Sequence, residues 1–182
     1  MAYLNTKERY GSLSIALHWI MLLVMAAVFA TIELHDSFPK GDPMRRSLMM
    51  WHFQLGLTVL ILVVVRLVLK FMAPNPEIKP AVPRLQLLAS KGMHLALYLI
   101  MVAMPIAGFI GRTLEGKSVY FFGITLPILL AKNDDLADNI FDIHSFIGNT
   151  AYFLIGFHAA AALYHHYVQR DNTLTRMLPE RK

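Results

Sequence analysis

Residues 140–167 read IFDIHSFIGNTAYFLIGFHAAAALYHHY, a long apolar run that nevertheless carries His144, His158, His165 and His166. An imidazole deep in an apolar span is rarely without a partner. His144 and His158 are fourteen residues apart, so on a helix with about 3.6 residues per turn they share one face, about 21 Å apart along the axis. One helix thus offers two metal ligands at two depths, the spacing that two metal centres stacked across a bilayer need.

The composition indicates a membrane protein. Of 182 residues, 56% are hydrophobic and only 16% are charged, a balance typical of integral membrane chains. Because cysteine is absent, disulfides, thiolate zinc sites, iron–sulfur clusters and covalently attached c-type haem are excluded. Any metal must therefore be held by histidine, methionine or oxygen. The net charge of +5 arises from basic residues that flank apolar spans, so we interpret it as an orientation signal and expect no nucleic-acid partner.

Four apolar stretches are long enough to cross a bilayer, which takes roughly 20 residues each. Their approximate bounds are residues 13–32, 49–71, 88–110 and 140–167. Segments rich in Pro, Gly and charge separate these stretches, which predicts a single transmembrane domain over residues 1–182. The first stretch has no persuasive cleavage site before Glu33, so we expect it to remain as a helix.

The longest connection, residues 111–139, contains the apolar patch VYFFGITLPILL. Gly123 and Pro127 interrupt this patch, which makes it too broken for a fifth span. The pattern predicts either an interfacial hairpin or a short helix.

The distribution of Lys and Arg predicts how the spans are oriented. Eleven of these residues lie in or beside the amino terminus, the second connection and the carboxyl tail, whereas the other two connections hold six. Both termini are therefore expected in the cytoplasm. The predicted fold class is all-α, an integral membrane four-helix bundle with up-down-up-down topology that passes repeatedly through a bacterial inner membrane.

The expected depth of each histidine within its span groups four of them into two pairs. His18 and His158 are both expected near the inner leaflet, and we name them the inner pair. His52 and His144 are expected near the outer leaflet and form the outer pair. Two opposed imidazoles without a carboxylate or thiolate suit the two axial positions of haem iron better than zinc. Iron with both axial positions filled has no open site for O2, which favours electron transfer over oxygenation.

Other residues near these pairs admit more than one interpretation. Arg66 lies fourteen residues after His52, at the depth of the inner pair, where it could bind haem propionates or snorkel to the interface. His165, seven residues after His158, suits a quinone headgroup, but a helix end also favours an ordinary interfacial imidazole. His94 could replace an inner ligand, bind a propionate or line a quinone pocket.

Two glycines each lie one turn after a histidine of the outer pair, Gly56 after His52 and Gly148 after His144. A small residue beside a ligand lets a flat macrocycle approach the helix backbone. Ordinary helix packing explains these glycines equally well.

Several motifs resemble the bacterial cytochrome b-561 family over essentially the whole chain. They are SIALHW in the first span, WHFQLG in the second, and DIHSFIGN and GFHAAAALYHHYVQRDNTLTRMLP in and after the fourth. The family holds two b haems in a four-helix core, with ligands on the first and second helices and two, fourteen residues apart, on the fourth. The matching positions are His18, His52, His144 and His158, so the resemblance implies two non-covalent, bis-histidine b-type haems.

The same resemblance implies an activity. Short stand-alone members of the wider group include a superoxide oxidase that passes electrons from periplasmic superoxide to ubiquinone. We therefore expect an oxidoreductase in contact with lipid, with superoxide or another small periplasmic electron donor and ubiquinone as acceptor. One alternative is an electron-transfer cytochrome b subunit that docks a dehydrogenase or hydrogenase as its redox partner protein. The other alternative is a haem-free transporter whose path is lined by histidine.

Superoxide is an anion, so its entry site should be locally positive. The basic residues available on the expected periplasmic side are Lys40, Arg45, Arg46, Arg112, Lys117 and Lys132. The same side carries eight acidic residues against these six basic ones. An attractive site therefore requires the basic side chains to cluster while the acids point away, and the residues alone single out no catalytic side chain.

Overall fold

The computed structural model describes residues 2–179, and its secondary structure is mainly helical. The long helices are α1 (Ser12–His35), α2 (Pro43–Met72), α3 (Arg84–Leu114) and α4 (Asp134–Tyr164). A π-helix (His165–Gln169) follows α4 directly, and a short 3-10 helix (Thr175–Met177) lies in the tail. Within the described residues, four helices are long and apolar enough to cross a membrane. The all-α fold class with four long apolar helices is confirmed.

Each long helix starts before the apolar stretch that predicted it, and α4 ends at Tyr164, before the predicted end at residue 167. Capping groups explain the early starts of α2 and α4. At the start of α2, the carboxylate of Asp42 accepts the N–H of Met44 at 2.7 Å, and Pro43 occupies the first helical position, where no N–H is needed. At the start of α4, the side chain of Asn133 accepts the N–H of Leu136 at 3.0 Å.

The connection between α3 and α4 forms a β-hairpin, so the hairpin rather than the short helix is correct. Strand β1 (Val119–Phe121) pairs antiparallel with β2 (Ile124–Leu126). Between them, Phe122 and Gly123 have φ values of 44° and 89°. Two successive positive φ values are characteristic of the tight turn whose twist matches a hairpin. The buried Gln54 of α2 holds this turn, because its side-chain oxygen accepts the N–H of Phe122 at 3.0 Å.

The chain divides into two compact units, and each contains a segment of all four helices. The terminal unit comprises Met1–Ile20, Val64–Leu99 and Thr150–Lys182. Its described part begins at residue 2 and ends at residue 179. The hairpin unit comprises Met21–Val63 and Ile100–Asn149. Large apolar side chains such as Phe71, Phe146 and Leu23 are highly exposed in these units, as expected for surfaces that face lipid rather than water.

Candidate functional site

In the hairpin unit, α2 and α4 bring the outer pair together. The ring centroids of His52 and His144 are 6.2 Å apart, with an angle of 69° between the ring planes. The Nδ1–H of His52 donates to the carbonyl of Val28 on α1 at 3.1 Å. A hydrogen bond of this kind orients an imidazole and leaves Nε2 as its free coordinating nitrogen.

The ring of His144 packs against α3 beside Gly108. A Cβ at Gly108 would lie 3.5 Å from Cε1 of His144, at an ordinary contact distance. Nδ1 of His144 is buried beside the backbone of Met104, without hydrogen-bond geometry to any group in residues 2–179. The ring is thus held by packing more than by hydrogen bonding.

In the terminal unit, α1 and α4 bring the inner pair together. The ring centroids of His18 and His158 are 6.3 Å apart, with an interplanar angle of 76°. His94 of α3 also approaches His158, but here the centroids are 5.4 Å apart. Nδ1 of His94 is 3.5 Å from the hydroxyl of Ser90 on its own helix.

The ring separations distinguish the two pairs from the contact with His94. Two imidazoles bound through nitrogen on opposite sides of one metal ion, at metal–nitrogen distances of about 2.0–2.1 Å, have centroids about 6.3 Å apart. The inner and outer pairs match this value, at 6.3 and 6.2 Å, whereas His94 and His158 are too close. Among residues 2–179, no three His, Asp or Glu side chains converge on one point. Two-nitrogen donor sets fit haem iron rather than zinc.

The space beside the outer pair also fits a flat macrocycle. A Cβ at Gly56, one turn after His52, would meet no protein atom within 4 Å, and one at Gly148 would meet only the terminal methyl of Met104 at 3.8 Å. Both positions are therefore open on the helix face beside a histidine of the pair.

Arg66 lies near the inner pair. It interacts electrostatically with both His18 and His158, and its Nε donates to the hydroxyl of Tyr98 at 3.2 Å. The ammonium of Lys70 lies 4.6 Å from the centre of the same tyrosine ring. No carboxylate in residues 2–179 forms an ion pair with Arg66 or Lys70, so the two cations present uncompensated charge in this unit.

His165 does not join the inner pair. Its Nδ1 instead pairs with Oδ2 of Asp171 at 2.5 Å, and the side chain of Asp171 is only 1% exposed. Burial by itself would raise the pKa of Asp171, but hydrogen bonds from His165 and Thr173 outweigh it and lower the pKa. Sequence reasoning missed Asp171. The signal available was an acid six residues after a histidine, just past a helix end.

Ion pairs neutralise several of the basic residues on the hairpin unit. Arg45 pairs with Asp36 at 3.1 Å and Lys132 with Asp134 at 3.0 Å. The predicted cluster of positive charge is therefore smaller than the residue count suggested.

A local excess of positive charge remains around Glu115, which binds both Arg112 and Lys117 at 2.8 Å. The guanidinium of Arg112 also lies 5.3 Å from the ring centre of Phe53, the residue after His52. Burial tends to raise the pKa of Glu115, but these two cations prevail and lower it. Two cations on one carboxylate leave one net positive charge close to the outer pair.

Comparison with known proteins gives a consistent assignment. A family model described as prokaryotic cytochrome b561 matches residues 9–180. The chain is 39% identical to cytochrome b561 homolog 1 of Escherichia coli (strain K12) over 96% of this chain and 99% of that protein. It is 37% identical to a probable superoxide oxidase of Yersinia pestis, over 96% of this chain and 98% of that one. Cytochrome b561 homolog 2 of Escherichia coli (strain K12) is 31% identical, over 98% of this chain and 95% of that protein.

Proposed function

The chain belongs to the prokaryotic cytochrome b561 family, and from this premise we propose that it carries two b-type haems and passes electrons from superoxide to ubiquinone. Membership makes it a multi-pass inner-membrane protein of the bacterial electron-transfer machinery, with b-type haem as its cofactor. The number of haems, the electron donor and the quinone are the parts that we propose.

One observation carries the proposal, namely two separate imidazole pairs with centroids 6.3 and 6.2 Å apart. The inner haem iron would be held by His18 and His158, and the outer haem iron by His52 and His144. Haem supplies a reversible one-electron carrier when bound. With two imidazoles available to hold each iron, the site would favour electron transfer over binding of O2.

The remaining side chains near the pairs have supporting tasks in this proposal. The hydrogen bond from His52 to Val28 would fix one ligand ring, and the other, His144, packs beside Gly108 of α3. Arg66 offers an uncompensated positive charge to a haem carboxylate, which a guanidinium binds through two parallel hydrogen bonds.

Two observations support superoxide as the donor. A relative that is 37% identical over nearly its whole length is named a probable superoxide oxidase. In addition, Arg112 and Lys117 leave net positive charge close to the outer pair, and such charge raises the local concentration of a small anion. Two superoxide anions would give up two electrons and become two O2, while ubiquinone takes those electrons and two protons to become ubiquinol.

The test is an anaerobic optical titration of the purified protein, with haem counted per chain. Superoxide is then supplied with and without ubiquinone. We expect two b-type haems per chain, which superoxide reduces and ubiquinone reoxidises. Two haems that ignore superoxide would contradict the proposed donor and favour a subunit that docks a dehydrogenase or hydrogenase. Absence of haem would contradict the assignment of both pairs.

A further inference from the structure

We propose that the tip of the β-hairpin, residues 121–124, is inserted among the lipid acyl chains of the adjacent leaflet, with Gln54 of α2 as the polar anchor that makes the insertion possible. The partner in this inference is lipid hydrocarbon, not a protein or a small molecule. The inference goes beyond the proposed function and does not depend on the electron donor or the acceptor.

The hairpin runs from the helix ends toward the membrane interior. Its base is held where α3 ends and α4 begins, because the N–H of Asn133 donates to the carbonyl of Leu114 at 2.9 Å. Its turn is held deeper, because the side-chain oxygen of Gln54 accepts the N–H of Phe122 at 3.0 Å. Gln54 lies five residues after Met49, where the apolar stretch of α2 begins, which is about 7.5 Å at 1.5 Å per residue. The tip therefore lies beside an apolar part of α2.

A second contact places the tip along one face of α2. The rings of Trp51 and Phe122 have centroids 6.2 Å apart, with an angle of 68° between their planes. Trp51 and Gln54 are three residues apart, so they lie on the same face of the helix, whereas His52 points about 200° away from Gln54. Tryptophan near the end of a span is typical of the membrane interface. The tip thus extends inward from interface depth, on a face of α2 that does not carry the ligand of the outer pair.

The backbone of the turn needs an acceptor at this depth. Lipid offers no hydrogen-bond partner, so irregular backbone inside a membrane is stable only where protein groups satisfy it. Phe122 and Gly123 both have positive φ, and Gln54 supplies the acceptor for the first of them. The side chain of Gln54 is itself buried, with the residue only 6% exposed. Serving the turn explains why an amide occurs within an otherwise apolar stretch.

The side chains of the tip suit hydrocarbon and not water. A water-exposed turn with two positive φ values favours Asn, Asp or Gly, yet Phe122 occupies the first position and is 57% exposed. Ile124 is 63% exposed. A Cβ at Gly123 would meet no atom of residues 2–179 within 4 Å, so the described chain leaves this position of the turn open. Large apolar groups left exposed by the protein are stabilised by transfer from water into lipid.

The distribution of charge favours lipid over a partner protein as the occupant. Residues 118–131 read SVYFFGITLPILLA and contain no charge, and Lys117 and Lys132 flank them. The side chains of these two lysines are 54% and 63% exposed. Lysines at the ends of an inserted segment can reach the lipid phosphates while their methylene groups stay in apolar surroundings. The apolar surface of the hairpin thereby continues the lipid-facing surface of the spans.

The first test measures the depth of the tip. Because the chain has no cysteine, Ile124→Cys can be labelled at a single position with the fluorophore NBD. Lys132→Cys, at the end of the same apolar segment, is the matched control. Both full-length, haem-containing proteins are placed in lipid nanodiscs. Quenching by a nitroxide on carbon 5 of the acyl chain is compared with quenching by aqueous iodide, each relative to the same labelled protein without quencher.

We expect the acyl nitroxide to quench the label at position 124 at least about threefold more strongly than the label at position 132. Iodide should show the reverse order, because hydrocarbon excludes a charged ion. Strong quenching by iodide at both positions would place the tip in water and overturn the inference. Protection of position 124 from both quenchers would show that protein covers the tip, which would also overturn lipid as the occupant.

The second test uses the sign of a stability change. Asparagine adopts positive φ more readily than phenylalanine, so Phe122→Asn would raise Tm or leave it unchanged if the tip were in water. In lipid the same change replaces an apolar ring by an amide, so Tm in nanodiscs should fall by about 2–4 °C or more. A Tm equal to or above that of the wild type would contradict insertion.

The third test concerns the anchor. Gln54→Leu leaves the N–H of Phe122 without an acceptor, so the label at position 124 should move toward water, and its quenching by the acyl nitroxide should fall to the level seen at position 132. Unchanged quenching in a folded Gln54→Leu variant would overturn Gln54 as the anchor. If this variant does not fold, the depth of the tip in the otherwise wild-type chain and the Tm of Phe122→Asn still decide the insertion.

Discussion

At the scale of single residues, the separation between two imidazole rings carries most of the information. In the terminal unit, His18 and His158 have the separation expected of two imidazoles that would hold one metal ion between them. His94 is nearer to His158, at 5.4 Å, and therefore fits a neighbour of the site better than a ligand.

The ligand assignment predicts a distinct result for each histidine. Replacing His52 or His144 by Ala should remove the outer haem, and replacing His18 or His158 should remove the inner one, so each change costs about half of the haem absorbance. His94→Ala is the matched control and should keep both haems. Haem per chain is measured by the pyridine haemochrome spectrum. A full haem complement in any of the four variants would exclude that residue as a ligand.

A second prediction at the residue scale concerns Glu115 and pH. Arg112 and Lys117 lower its pKa from the ordinary value of 4.5, so its contribution to stability is complete above that value and disappears as the pH falls through the lowered pKa. At pH 7, Glu115→Gln should lose about 1 kcal/mol, or about 2–4 °C in Tm.

Thermal unfolding of the wild type and of Glu115→Gln, recorded from pH 7 down to pH 3, checks this. The difference between them should shrink at the acid end. Glu8→Gln, at an exposed acid of the terminal unit, serves as the control. A Glu115→Gln deficit that stays constant over the whole pH range would show that the ion pairs are not its cause.

At the scale of elements, α3 and α4 approach each other closely in the hairpin unit because α3 has glycines at the contact. A Cβ at Gly111 would lie 2.7 Å from Cζ of Phe141, whereas one at Gly108 would lie at an ordinary contact distance of 3.5 Å from His144. The first position therefore tolerates no side chain unless the phenylalanine ring moves.

Gly111→Ala should accordingly destabilise the protein by about 1–3 kcal/mol, the usual cost of overpacking. Gly92→Ala, on the same helix, is the matched control, because its Cβ would meet nothing within 4 Å. That control should be neutral or slightly stabilising, since alanine favours helix more than glycine does. Denaturant or thermal unfolding in detergent measures both, and equal stability of the two variants would contradict the close contact.

At the scale of the whole molecule, orientation in the membrane remains a prediction from charge. Eleven Lys and Arg residues accompany the termini and the second connection, against six on the other two connections. The positive-inside rule then places both termini in the cytoplasm. This choice also decides which of the two proposed haems would face superoxide.

Reporter fusions to the carboxyl terminus test the orientation. A fused green fluorescent protein should fluoresce, because it folds in the cytoplasm, and a fused alkaline phosphatase should be inactive, because it needs the oxidising periplasm. A matched pair of reporters inserted after Lys40, between α1 and α2, should give the opposite result. An active phosphatase at the carboxyl terminus would reverse the assignment of inner and outer pairs.

The local pattern of the chain was enough to predict four apolar helices, the hairpin as one of two possibilities, and histidines grouped by depth. These features depend on hydropathy, helical period and turn residues, which neighbouring positions determine together. The helix ends were less accurate, because Asp42 and Asn133 extend α2 and α4 past the apolar stretches by capping them.

Features that depend on residues far apart in sequence needed the folded chain. Three such features join different helices or loops. They are the ring separations of His18 and His94 from His158, the hydrogen bond from Arg66 to Tyr98, and the hydrogen bond from the hairpin turn to Gln54. Asp171 is the clearest case. Its carboxylate meets His165 across a local turn, but the tail that carries it is also held by hydrogen bonds to Lys79 and Trp19, whose free energy comes from groups that only folding brings together.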